Sequence, residues 1–99
     1  MFVRVGTFHI HPGTLDAFRG RYYSECAPVV KAAVGSVDCV ILEPVNDDDP
    51  VAVCTIWETE ADAAAYEASG SAAAVVASVR QFFQGPPTLH SYRIQRPDR

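Results

Sequence analysis

Residues Val51–Glu58 read VAVCTIWE, and no charge appears until the last position. β-branched and aromatic residues dominate, so the segment is a strand. In a strand alternate side chains share a face. One face then carries Val51, Val53, Thr55 and Trp57, and the other Ala52, Cys54 and Ile56. An antiparallel strand with one wet face alternates apolar with polar residues, and this one does not. Both of its faces need cover.

Working outward, Ser36–Val45 (SVDCVILEPV) is a second extended run. Asn46-Asp47-Asp48-Asp49-Pro50 separates the two runs and is too short for a helix, so it joins them as an antiparallel hairpin. A turn near Asp48 that sets Val45 opposite Val51 puts Cys39 opposite Trp57 and Cys54 opposite Leu42, so these thiols do not face each other. Upstream, Phe2–Ile10 (FVRVGTFHI) is a strand closed by His11-Pro12-Gly13. From Thr14 the apolar residues step by three and four through Leu15, Phe18, Tyr22, Cys26, Val29, Val30 and Ala33 until Gly35, which predicts a helix. Pro28 lies inside it and predicts a kink in its last turn. Downstream, Thr59 and Asp62 resemble a capping box. They open an alanine-rich helix to Ala68, and a second one runs from Ala72 to Phe83 beyond Ser69-Gly70-Ser71. Thr88–Ile94 is the last strand.

The order β-α-β-β-α-β is that of a ferredoxin-like α+β fold, with helices on one face of a four-stranded antiparallel sheet. The domain is expected over residues 1–95, with 96–99 a polar tail. Strand one is also apolar on both sides, with Phe2, Gly6, Phe8 and Ile10 against Val3, Val5 and Thr7. No helix remains to cover the second face. Several hundred Å² of bare apolar sheet is unusual for a soluble monomer, so a homodimer packed sheet on sheet is expected.

The chain has 99 residues, 48% of them hydrophobic and 20% charged, which fits one globular domain and no more. Eight basic residues against twelve acidic ones give a net charge of -4, without a basic stripe, so nucleic acid is not an expected partner. No apolar run approaches the ~18 residues of a spanning helix, and none of the leader type follows Arg4. A cytoplasmic protein is expected. Cys26, Cys39 and Cys54 match neither a redox pair nor a zinc set. His9 and His11 form an HxH pair and His90 lies on the last strand, but no carboxylate or cysteine stands at helpful spacing, so no metal site is expected. Asp47, Asp48 and Asp49 lack the spaced ligands of a calcium loop.

The HPG that closes strand one, the helix beginning LDAFRGRY, the strand GSVDCVILEPV and the run CTIWETEADAAAYEASG together resemble the antibiotic biosynthesis monooxygenase family, over Phe2 to about Ile94. The resemblance implies a dimeric α+β barrel. It also implies a pocket between the helices and the sheet in which an electron-rich aromatic meets O2, with Phe18, Tyr22, Val53, Thr55 and Phe83 as its substrate-contacting wall. Such chemistry needs water exclusion, orientation and donors for a developing oxyanion, and no cofactor. Two departures stand out. Oxygenases of this superfamily often carry an asparagine four residues before the tryptophan, where this chain has Val53. The haem-degrading branch carries a histidine about ten residues after it, where this chain has Tyr66 and Glu67, so haem degradation is not expected.

Four residues are candidates for the chemistry. Trp57 offers an apolar wall and one N–H donor, although a core tryptophan would look the same. Tyr66 is a donor or an acid-base group, His9 a proton acceptor, and Arg80 a cation for an oxyanion in the otherwise apolar run AVVASVRQFF. The plain alternative for each is structural: a tyrosine packed with its hydroxyl in water, a hydrogen-bonded histidine, a solvated helix face. The expected activity is cofactor-independent monooxygenation of an aromatic or polyketide-like molecule. The alternatives are proton-transfer isomerisation or cyclisation, and ligand binding without catalysis.

Overall fold

The structure is a computed structural model and describes residues 1–98; Arg99, the end of the expected tail, lies outside the described residues. Strands β1 (Phe2–Phe8), β2 (Ser36–Leu42), β3 (Val51–Trp57) and β4 (Thr88–Arg93) form one antiparallel sheet in the order β2-β3-β1-β4. Helices α1 (Leu15–Arg21), α2 (Ala27–Ala32), α3 (Glu60–Ala68) and α4 (Ser71–Val79) complete the ferredoxin-like α+β fold that the element order predicts. Among the described residues no helix is long and apolar enough to cross a membrane.

Three local readings change. The β2–β3 hairpin is shifted by two residues from the expected register: Leu42 pairs with Ala52, Cys39 with Thr55, and Cys54 with Val40. Pro44 explains the shift, because it has no N–H for the ladder, so β2 stops at Leu42 and the connection starts earlier. A shift of two keeps every side chain on its expected face, and the three cysteines remain free. Strand β1 ends at Phe8, leaving Ile10 in a lone bridge to Phe83.

Pro28 does not kink the last turn. It sits at the start of α2, and the five residues before that helix, Tyr22–Cys26, widen into a π-helical turn. Proline removes the N–H that would bond the carbonyl of Ser24 and crowds that carbonyl, and widening the turn relieves both faults without breaking the helix.

Gly35 ends this helical arm at φ +81°, where a Cβ would collide with the Asp62 side chain. Asp62 is held there by the cap of α3: Thr59 Oγ1 accepts from the Asp62 backbone N–H at 3.1 Å and donates to the Asp62 carboxylate at 2.9 Å. The Thr59–Asp62 box is therefore real, and it locks α3 against the start of β2.

All helices lie on one side of the sheet. Phe2, Phe8, Phe18, Tyr22, Val30, Val51, Trp57, Val79 and Phe82 form the core between the layers. Phe18 is fully buried and meets Phe8, Tyr22 and Phe82 edge-on or tilted; burying such a ring is worth about 1.5–3 kcal/mol. The other side of the sheet carries Val3, Val5, Val40, Leu42, Ala52, Cys54, Ile56 and Tyr92 with the polar Thr7, Asp38 and His90 among them, and among the described residues no element covers it.

Candidate functional site

The strand registers place side chains in rows across the helix-facing side of the sheet. One row runs Leu89, Gly6, Val53, Ile41, and is apolar. The next runs Ser91, Arg4, Thr55, Cys39, so all four strands present a hydrogen-bonding group there. A cavity of about 130 Å³ stands over these rows, roofed by α3 and α4 and by Phe18, Tyr22 and Val30 from the α1–α2 arm. Gly6 leaves its floor open: a Cβ there would already press on Leu89 at 3.3 Å. Phe8, Phe83, Val75, Val76 and Val79 make one end apolar, while Arg4, Thr55, Tyr66 and Glu67 make the other polar. Leu89, 58% exposed, and Glu67 mark the side that opens to solvent. A dry cavity of about 150 Å³ holds one benzene ring, so this space takes a single ring, and a larger molecule would extend through the opening.

Of the nine residues that the sequence puts at the site, the cavity brings together six: Phe18, Tyr22, Val53, Thr55, Tyr66 and Phe83. Trp57 lies beneath it. Its ring is 0% exposed, stacks on Tyr66 at 5.1 Å, and donates its indole N–H to Thr55 Oγ1 at 2.9 Å. It is not a wall, and its N–H is already engaged. Arg80 is exposed in the short 3-10 turn after α4, whose inward side is taken by the buried Phe82. His9 is exposed beyond the end of β1, in a separate depression with Pro50 and Gly85. Neither reaches the cavity. Arg4 and Glu67 were missed, although a signal existed: Arg4 is the only charge among Phe2, Arg4, Gly6 and Phe8, the core-facing positions of β1.

The polar groups differ in their engagement. Tyr22 shares a 3.0 Å hydrogen bond with the Cys39 thiol inside the core, and burial together with that bond pushes its hydroxyl pKa up. Burial also raises the Cys39 thiol, against the opposing pull of Tyr22. The Tyr66 hydroxyl is buried with no hydrogen-bond partner, and burial pushes its pKa up to about 12. It therefore stays protonated at neutral pH, a donor awaiting an acceptor. Arg4 Nη1 donates to Glu67 Oε2 at 2.8 Å, and its second terminal nitrogen meets the other carboxylate oxygen. The pair is partly solvated, and such pairs contribute only about 0–1 kcal/mol. Among the described residues no group of three or more His, Cys, Asp or Glu could hold a metal ion.

Solved structures with the same fold include a Bordetella bronchiseptica protein named for the antibiotic biosynthesis monooxygenases, with a TM-score of 0.81 and 16% identity over 96% of this chain and 97% of that one. A mutant of SnoaB, a cofactor-independent oxygenase from Streptomyces nogalater, gives 0.78 and 12% over 97% and 94%. A variant of MhuD, whose structure carries two manganese protoporphyrin IX per active site, gives 0.79 and 22% over 99% and 98%. Identities this low speak for the fold alone. No curated protein matches the chain in sequence. The sequence itself is more specific, because residues 1–78 match the family model described as antibiotic biosynthesis monooxygenase, and the chain belongs to that family.

Proposed function

We propose that the chain is a cofactor-independent monooxygenase that brings O2 to an aromatic or polyketide-like small molecule whose reacting ring enters the cavity. The observation that carries this reading is a ring-sized, largely apolar space lined at one end by Tyr66, whose hydroxyl is buried without a hydrogen-bond partner. A buried donor without an acceptor costs stability, which an arriving substrate oxygen would restore. Tyr66, held neutral, stabilises oxyanion character as it develops, and Thr55, its oxygen committed to Trp57, has its own hydrogen left to give.

The substrate supplies the electrons. A phenol or anthrone gives up a proton to water at the open side, its anion passes one electron to O2, and the two radicals join as a carbon-bound peroxide anion that takes a proton back from water to become the hydroperoxide. Loss of water then turns the CH2 of an anthrone, or the oxygenated ring CH of a phenol, into a carbonyl, so one oxygen atom ends in the product and the other in water. The apolar walls exclude bulk water from the anion. Phe18, Tyr22, Val53 and Phe83 set the ring's position, and Trp57 acts through Thr55 and Tyr66 rather than by touching the substrate.

The working form in this reading is a homodimer. The uncovered sheet face of Val3, Val5, Val40, Leu42, Ile56 and Tyr92 supports it, since two such faces pressed together remove both from water.

Oxygen uptake with a panel of single-ring hydroquinones and anthrones tests the proposal, comparing wild type with Tyr66→Phe. Turnover by the wild type with a loss of about 10²-fold in the variant is expected. Product formed equally well without oxygen would move the chain to proton-transfer chemistry, and no turnover of any member by a folded protein would overturn the oxygenase reading.

A further inference from the structure

The helix-facing positions of the two central strands are Phe2, Arg4, Gly6 and Phe8 on β1, and Val51, Val53, Thr55 and Trp57 on β3. Seven are uncharged, and Arg4 is the exception. A charge on the core face of a central strand opposes folding unless something compensates it. A structural role would need a fixed and buried partner. Glu67 is neither: it lies on α3 with 39% of its side chain exposed, against 24% for Arg4. The strand holds the cation, while the helix presents an anion that can turn out into water.

We propose that Arg4 selects ligands bearing an anionic oxygen, a carboxylate or an ionised phenol, and that such a ligand takes the place of Glu67 on the guanidinium. The inference rests on the reading of the cavity as a ligand site. Arg4 lines that cavity at its polar end, flanked in register by Ser91 and Thr55, and it is the one cation among the described residues that line it. Glu67 already occupies both terminal nitrogens with its two oxygens, the geometry in which a ligand carboxylate would bind. The exchange favours the ligand because its ring adds apolar contact in the cavity that Glu67, reaching Arg4 from α3, does not make. A ring-sized body then fills the apolar end beside Phe8 and Phe83, and the anionic oxygen lies within the row that also holds the Thr55 hydroxyl. Glu67, displaced, stands at the open side, where it repels a second anion.

Calorimetric titration with 4-propylbenzoate and its neutral counterpart 4-propylbenzamide tests this on wild type, Arg4→Gln and Glu67→Gln. Wild type should prefer the benzoate. Removing the competing carboxylate in Glu67→Gln should tighten benzoate by roughly threefold or more, and Arg4→Gln should weaken it about tenfold, while benzamide changes little in either. Glu67→Gln alters only a half-exposed side chain, so the test survives if Arg4→Gln fails to fold. Benzamide binding with no preference for benzoate, or a preference that outlives Arg4→Gln, overturns the proposal and leaves the cavity reading standing. Failure of the wild type to bind either probe overturns both.

Discussion

The indole N–H of Trp57 ends on the hydroxyl oxygen of Thr55, 2.9 Å away, so the tryptophan's only polar atom is spent on the cavity floor and not in the cavity. Both residues lie on the helix-facing side of β3, two positions apart, and Thr55 lines the cavity while Trp57 is sealed below it. The threonine oxygen accepts from one side, which leaves its hydrogen for the other. A donor that is itself accepting a hydrogen bond is polarised and gives a stronger one.

Thr55→Val keeps the shape of the side chain and removes the acceptor. The buried Trp57 N–H then has no partner, and the expected loss is about 1–3 kcal/mol. For a domain of this size each kcal/mol moves the melting temperature by roughly 4–8 °C. Urea denaturation checks it: a midpoint unchanged from wild type would mean that the bond contributes nothing to folding.

Tyr66→Phe and Tyr22→Phe remove the same atom and should act oppositely. Tyr22 shares its hydroxyl with Cys39 in the core, so its loss should cost about 0.5–1.5 kcal/mol. The Tyr66 hydroxyl has no partner, so its removal should leave stability unchanged or raise it. Equal melting temperatures for the two variants would contradict the difference in bonding.

Tyr66 also shows what was legible in the sequence and what was not. Its place on an alanine-rich helix nine residues after Trp57 could be read from capping and periodicity, and so could the order of strands and helices. Which way a polar atom is spent could not, because the Trp57–Thr55 bond depends on the indole rotamer within the sheet. Arg80 shared its helix's apolar pattern, yet α4 ends at Val79 and the tighter 3-10 turn that follows sends Phe82 inward and leaves Arg80 exposed. His9 sat in an apparent strand that stopped one residue earlier. Arg4 was visible as a charge in an apolar row, but only the register sets it beside Thr55 and Ser91. The hairpin shift came from Pro44, whose missing N–H outweighed the turn signal of the aspartates.

Alkaline pH should unfold the chain in a defined window. Burial raises the thiols of Cys26, Cys39 and Cys54 above their ordinary 9.0, and raises the hydroxyls of Tyr22 and Tyr66 above 10.0, Tyr66 to about 12. Below pH 9 folded and unfolded chains keep these protons alike, and the groups contribute their full stability. Above it the unfolded chain releases protons that the folded chain retains, so stability falls as pH rises. The urea midpoint should drop from about pH 9 toward 12, and Tyr66→Phe should flatten the portion between 10 and 12. A midpoint that rises over that range would contradict burial as the cause.

The uncovered sheet face gives the last prediction. Val5 and Cys54 pair at the middle of the two central strands and point away from the helices, among Val3, Val40 and Ile56. Val5→Glu puts a charge at the centre of that face without touching the cavity. If two copies bury the face together, the charge of each copy would be desolvated with only His90, its cross-strand neighbour on β4, beside it, at a cost of up to several kcal/mol against association. Light scattering should then report a dimer for the wild type and a monomer for Val5→Glu, with the far-UV spectrum of a folded sheet retained. A wild-type monomer at micromolar concentration would leave this apolar face bare and remove the argument for a second copy.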